Sequence, residues 1–238
     1  MAGNRAIFDR AMEQSREAAR QGQWDEALRA TIRALQEFPQ NADARTAAAV
    51  ALFHTGKLER ALQLFEELRA ADRQNPFFLS YIAQVYQRQG NVAAAVESFR
   101  GLADLHLAQR RPAQAVEVLR ELLKLRPEDR EQRLRLARLY EEMQARPEAA
   151  REHLTLAQQS FADHHLDQAA ASAEAALRLD PDSREAKDLI VTLRDAMARE
   201  AGLESARGPV APSVPELRPG QRGVTGALRS QQFQVEKL

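Results

Sequence analysis

The sequence predicts an all-α solenoid built from antiparallel pairs of helices. Six alanines, the register alanines, lie at positions 27, 61, 95, 115, 149 and 169, so that successive positions differ by 34, 34, 20, 34 and 20. A period of about 34 residues is typical of helix–turn–helix repeat arrays. Apolar residues at helical spacing surround each register alanine, so we expect about eleven helices and no strands.

The proline positions predict where neighbouring repeats share a helix. Proline follows three of the six register alanines by twelve positions. It is absent at that place after Ala95 and Ala149, where the next register alanine comes early, at 115 and 169. Because proline breaks a helix interior, its absence favours two long helices, over 91–110 and 147–164. Each would be the second helix of one repeat and the first of the next, which gives a larger repeat that relates Ala61 to Ala115 and Ala115 to Ala169.

The array is predicted to occupy residues 1–200 and to end in a capping helix over 184–199. Residues 201–238 hold four of the ten prolines and five of the ten glycines, so we expect a mobile tail there. The more apolar segment 224–238 is either a short binding motif or a tail without a dedicated partner. The residues that would carry the motif are Val224, Leu228, Phe233, Val235 and Leu238.

Composition argues against several classes of protein. The 34 basic and 34 acidic residues give a net charge of zero, which provides no global attraction to nucleic acid or an anionic membrane. The absence of cysteine excludes disulfides and zinc–thiolate sites. No leader-like apolar stretch opens the chain, and no window reaches the ~18 apolar residues of a membrane span. We therefore expect a cytoplasmic protein without membrane insertion.

No catalytic motif is found in the sequence, because phosphate-binding glycine loops and nucleophile elbows are both missing. The segment 163–167, Asp-His-His-Leu-Asp, has the residue types of a metal site. The larger repeat aligns His164 and His165 with Arg110 and Arg111, which favours an exposed polar turn. We therefore expect no enzyme activity, no cofactor and no metal.

The same string of residues recurs around the register alanines. It includes Leu79-x-x-Ile82-Ala83-x-x-Tyr86, Ala95-x-x-x-Phe99 and Leu136-Ala137-x-x-Tyr140. These strings resemble the tetratricopeptide repeat, in which a large residue, a Leu-Gly pair and a tyrosine precede an Ala-x-x-x-Phe motif. The resemblance extends over about residues 8–200 and implies a right-handed superhelix of helix pairs.

In this family the first helix of each pair lines a concave groove, so the resemblance also implies where a partner binds. Phe77, Tyr81 and Gln84 have the spacing of one helix face. The Lys and Asn residues with which chaperone-tail binders of the family hold a terminal carboxylate are missing there. Phe77 and Tyr81 either contact a partner or only pack between helix pairs. The predicted groove residues are Thr46, Val50, Phe53, Phe77, Ser80, Tyr81, Gln84, Gln87, Arg135 and Arg138.

These observations predict an adaptor or scaffold that binds a peptide or helix of a protein partner in a bacterial assembly for secretion, motility or signalling. In one alternative, the tail segment 224–238 occupies the groove of its own or another copy. In another, nucleic acid binds along 108–138, where nine basic residues accompany five acidic ones. The open end of an array also allows a second copy to stack, so a homo-oligomer is a further alternative.

Overall fold

The computed structural model describes residues 3–207, and this part of the chain forms eleven helices and no strand. Each of the first nine helices packs on the next in chain order, which makes the described part the predicted all-α repeat solenoid. Residues 1–2 and 208–238, and with them the predicted motif 224–238, lie outside the described residues. The helices are α1 (Arg5–Arg20), α2 (Trp24–Glu37), α3 (Ala42–His54), α4 (Leu58–Ala71), α5 (Pro76–Arg88), α6 (Val92–Ala108), α7 (Pro112–Leu125), α8 (Arg130–Glu142), α9 (Arg146–Ala162), α10 (Leu166–Leu179) and α11 (Arg184–Arg207).

Six tight turns recur at the same distance from the six register alanines. In each turn, the residue five places before a register alanine has a positive φ, in the left-handed region that favours glycine. The register alanines themselves are at most 1% exposed, which allows the two helices of each pair to approach closely. The turn residues are Gly22, Gly56, Gly90, Arg110, Gln144 and His164, with φ between 57° and 76°.

The two shared helices are confirmed as α6 and α9. Each has 17 residues and is about 25 Å long. A tight turn with a positive φ lies at both ends of each: Gly90 and Arg110 flank α6, and Gln144 and His164 flank α9. Both helices begin within one residue of the predicted starts, 91 and 147, and end two residues before the predicted ends, 110 and 164.

Short polar side chains fix the starts of six helices. The Asp129 carboxylate accepts a hydrogen bond from the backbone N–H of Gln132 at 3.1 Å, which satisfies a donor that α8 leaves unpaired. Pro112 begins α7, where its missing N–H removes no helical hydrogen bond. The capping residues are Asn4, Asn41, Asn75, Asn91, Asp129 and Ser183.

Helix α5 is packed on two sides, and this leaves a third face for a site. Leu79 and Ala83 join an apolar cluster that continues through α6, α7 and α8. Phe78 and Ile82 join another cluster, formed with α3 and α4. The positions between these two sets carry the side chains that the sequence assigned to the groove.

Helix α11 is longer than the predicted capping helix. Leu193 is 1% exposed and packs with residues of α9 and α10, as expected of a helix that covers the last repeat. The helix continues to Arg207, past residue 199 and past the predicted start of the tail at 201. Nothing before Pro209 forbids helical backbone, which accounts for the difference. In the described residues, every helix is too short or too polar to cross a bilayer.

Candidate functional site

Four aromatic rings from α3, α4 and α5 form the centre of the candidate site, which we call the aromatic cluster. It consists of Phe53, Phe65, Phe77 and Tyr81. The Tyr81 ring stacks on Phe65 with a centroid distance of 4.8 Å and meets the edge of Phe53 at 5.1 Å. The Phe77 ring lies 4.9 Å from Tyr81. Aromatic pairs at such distances are attractive beyond the area that they bury, so the cluster is a rigid platform.

The four rings differ in how much of them a partner can reach. Phe65 is fully buried and Phe53 is 2% exposed, so both support the cluster from below. Tyr81 is partly buried, and its burial raises the pKa of its hydroxyl, although the charge of Arg88 acts in the opposite direction. Phe77 is 41% exposed. The structure thus places Tyr81 between helix pairs and leaves Phe77 as the apolar surface of the cluster.

Arg88 completes the site, although the sequence analysis did not include it. Its Cζ atom lies 3.8 Å from the centre of the Phe53 ring, in a cation–π contact. Its Nη1 donates a hydrogen bond to the Phe53 carbonyl oxygen at 3.1 Å. These two contacts hold the guanidinium beside the cluster. Helical spacing could have identified Arg88, because the series Phe77, Tyr81 and Gln84 continues to position 88, at i, i+4, i+7 and i+11.

A stacked pair extends the site toward the N-terminal end of the array. The ring planes of Trp24 and His54 are 9° from parallel, and their centroids are 3.8 Å apart. His54 also meets the edge of Phe53 at 5.2 Å. Burial, and secondly the charge of Arg88, lower the pKa of His54 below its ordinary value of 6.5.

The remaining predicted residues of α3 and α5 surround the cluster. Thr46 and Val50 are partly buried on α3, and Val50 packs against the apolar cluster of α3, α4 and α5. Gln84 Nε2 donates to the Ser80 carbonyl oxygen at 3.3 Å and lies 3.2 Å from the Ser80 hydroxyl. Gln87 is exposed. Together they give the aromatic surface a border with hydrogen-bonding groups.

The two predicted groove residues of α8 have no contact with the aromatic cluster among the described contacts. Arg135 forms an ion pair with Asp104 of α6, and Arg138 is exposed. This ion pair joins α8 to α6 and not to the aromatic cluster. Whether either arginine contacts a partner stays a prediction.

The segment 163–167 forms a turn and the start of α10. His164 has a φ of 59°, and both His164 and His165 are exposed. Arg130 forms an ion pair with Asp163. Among the side chains that the structure describes, those of residues 3–202, no group of three or more His, Asp or Glu is arranged to hold a metal ion.

Two family models, both described as tetratricopeptide repeat, match residues 18–80 and 96–139. Their matches fall on the helices whose turns and register alanines follow the predicted repeat. The chain is a tetratricopeptide repeat protein. Arrays of this family present extended surfaces that bind other proteins. No curated protein sequence matches the chain.

Several solved structures are similar to this tetratricopeptide repeat protein. PcrH from Pseudomonas aeruginosa is 19% identical, with a TM-score of 0.45, over 51% of this chain and 93% of PcrH. PilF from Pseudomonas aeruginosa is 20% identical, with a TM-score of 0.37, over 79% of this chain and 98% of PilF. The TPR2AB domain of yeast Sti1 is 14% identical, with a TM-score of 0.36, over 80% of this chain and all of that chain.

Proposed function

We propose that this protein is a non-catalytic adaptor that holds a peptide or helix of a protein partner on the face of α3 and α5, within a cytoplasmic assembly of a bacterium. The observation that carries the proposal is the exposed ring of Phe77 above a buried aromatic platform. Aromatic side chains that are held rigidly and left partly exposed are typical anchors of protein interfaces. The polar border of Ser80, Gln84 and Gln87 suits an interface with an apolar centre.

Phe77 contributes to the free energy of binding through the part of its ring that is still exposed. Complete burial of a phenylalanine side chain stabilises by about 1.5–3 kcal/mol. Since 41% of Phe77 is still exposed, a partner that covers it gains about 1 kcal/mol from this residue. Removing the ring should therefore weaken binding by about fivefold.

The experiment compares Phe77→Ala with wild-type protein in pull-downs from the source cells, followed by titration of the retained partner against both. Tyr81 is not changed, because its ring packs on Phe65 and its loss would disturb the core. Ile32→Ala is the matched control, since Ile32 is 48% exposed on α2, away from the cluster. Weaker binding to Phe77→Ala, with the control unchanged and helicity equal by circular dichroism, supports the proposal. A partner that binds both variants with wild-type affinity contradicts it.

A further inference from the structure

Four side chains on one face of α5 form a stripe that changes from apolar to cationic. Phe77, Tyr81, Gln84 and Arg88 are spaced at i, i+4, i+7 and i+11, so they follow one another along the helix. Phe77 and Tyr81 give the stripe an apolar end. Arg88 gives it a positively charged end, which the Phe53 ring and carbonyl oxygen hold in place.

Arg88 carries its charge without a counter-ion from this protein. Among the described residues, no carboxylate lies within the ion-pair distance of 4.0 Å of its guanidinium. Arg45 and Arg135 differ, because they form ion pairs with Glu67 and Asp104. A positioned arginine without a counter-ion is suited to a carboxylate of a partner.

The chain around the stripe provides little negative charge that could compete with a partner's carboxylate for Arg88. No Asp or Glu occurs in 44–58, which covers most of α3, or in 73–96, which contains all of α5. The carboxylates of α4 are engaged elsewhere. Glu59 accepts a hydrogen bond from Gln89, Glu66 accepts one from Tyr86, and Glu67 pairs with Arg45. This charge distribution favours a partner segment that brings its own negative charge.

The geometry also limits how far apart the two partner groups are. The steps from Arg88 Cζ to Phe53, from Phe53 to Tyr81 and from Tyr81 to Phe77 measure 3.8, 5.1 and 4.9 Å. Arg88 Cζ therefore lies within about 14 Å of the Phe77 ring, a distance that an extended chain covers in about four residues. We propose that the partner segment is an extended acidic peptide, with an apolar side chain on Phe77 and Tyr81 and a carboxylate on Arg88, up to about four residues apart. This inference rests on the proposed function.

The experiment measures binding of the full chain to fluorescein-labelled ten-residue peptides by fluorescence anisotropy. Each peptide contains one phenylalanine and one glutamate, separated by zero to eight Gly/Ser residues, and a second series has glutamine in place of glutamate. We expect the tightest binding at short separations and about tenfold weaker binding of the glutamine series at low salt. Arg88→Gln should weaken the glutamate peptides about tenfold and leave the glutamine peptides unchanged. Arg151→Gln, at an exposed arginine on α9, is the matched control and should change neither series.

The outcomes separate this inference from the proposed function. Equal binding of both series, lost in Phe77→Ala and kept in Arg88→Gln, overturns the acidic partner but not the adaptor. Binding that neither variant changes contradicts both. Two further results would replace the acidic partner with another occupant: binding of only a peptide with the sequence of 224–238, or self-association that Arg88→Gln abolishes.

Discussion

Replacing glycine by alanine should destabilise the protein at a turn glycine and stabilise it at a helical glycine. Gly56 has a φ of 76°, and a Cβ added there meets no atom within 4 Å, so any effect of Gly56→Ala comes from backbone conformation. The left-handed region costs a residue with a Cβ about 1–2 kcal/mol. Alanine offsets about 0.4–1 kcal/mol of this by restricting the unfolded chain. We expect Gly56→Ala to lower the free energy of unfolding by about 1 kcal/mol.

Gly101→Ala makes the same chemical change inside helix α6 and serves as the control. A Cβ at Gly101 lies 3.6 Å from the Leu79 Cδ2 atom, an ordinary contact, and its backbone is helical. Alanine is favoured over glycine there by about 0.5–1 kcal/mol, so this variant should be more stable than wild type. Urea unfolding, followed by circular dichroism and by Trp24 fluorescence, measures both midpoints at a constant m-value. Stabilisation by Gly56→Ala would refute the left-handed turn.

Three further predictions concern buried or shifted polar groups. Gln132 is 1% exposed and its Oε1 accepts no hydrogen bond from the described residues, so Gln132→Leu should raise the free energy of unfolding by about 1–2 kcal/mol in urea titrations. The Ser15 and Thr31 hydroxyls lie 2.7 Å apart in the core, so Ser15→Ala should lower it by about 1 kcal/mol. In NMR titrations, His54 should have a pKa below 6.5, and Arg88→Ala should raise that pKa, because a positive charge and part of the burial are lost.

Each of these predictions has a contradicting result. A less stable Gln132→Leu would show that the amide has partners or a shape that leucine cannot replace. If Ser15→Ala leaves the free energy of unfolding unchanged, the Ser15–Thr31 hydrogen bond does not stabilise the fold. Ser15→Thr is the control, because it keeps the hydroxyl. The depressed pKa of His54 means that the unfolded chain binds the proton more readily, so acidification through pH 6.5 should destabilise wild type more than His54→Gln. Equal acid sensitivity would contradict this.

Much of the fold followed from the sequence because repeats place the same demand on the same position many times. Each register alanine must be small where two helices cross, and each turn five residues earlier must reverse the chain. Gly22, Gly56 and Gly90 meet the second demand at no steric cost. Arg110 and Gln144 adopt the same conformation without glycine, since the packed helices on either side determine the path of the chain.

The site could be predicted only in part, because contacts between helices depend on packing that periodicity does not describe. The face of Phe77, Tyr81 and Gln84 follows from helical spacing. The burial of Phe53 under Arg88, 35 residues away in the chain, does not. Neither does the stacking of Trp24 on His54, since it joins the start of α2 to the end of α3. Such contacts arise where successive repeats meet, at distances set by the side chains of both.

The shared helices explain why the candidate surface ends at α5. In the first two pairs, α1 and α3 are first helices, and α5 continues the series. α6 is then both the second helix of one pair and the first helix of the next, since a tight turn joins it to α5 at Gly90 and another joins it to α7 at Arg110. A first helix after α5 therefore lies on the side of the array where second helices lay before. This accounts for Arg135 of α8 meeting Asp104 of α6 instead of the aromatic cluster. A partner that contacts the first helices from α1 onward would therefore meet the last of them on this side at α5, the helix that carries Phe77 and Arg88.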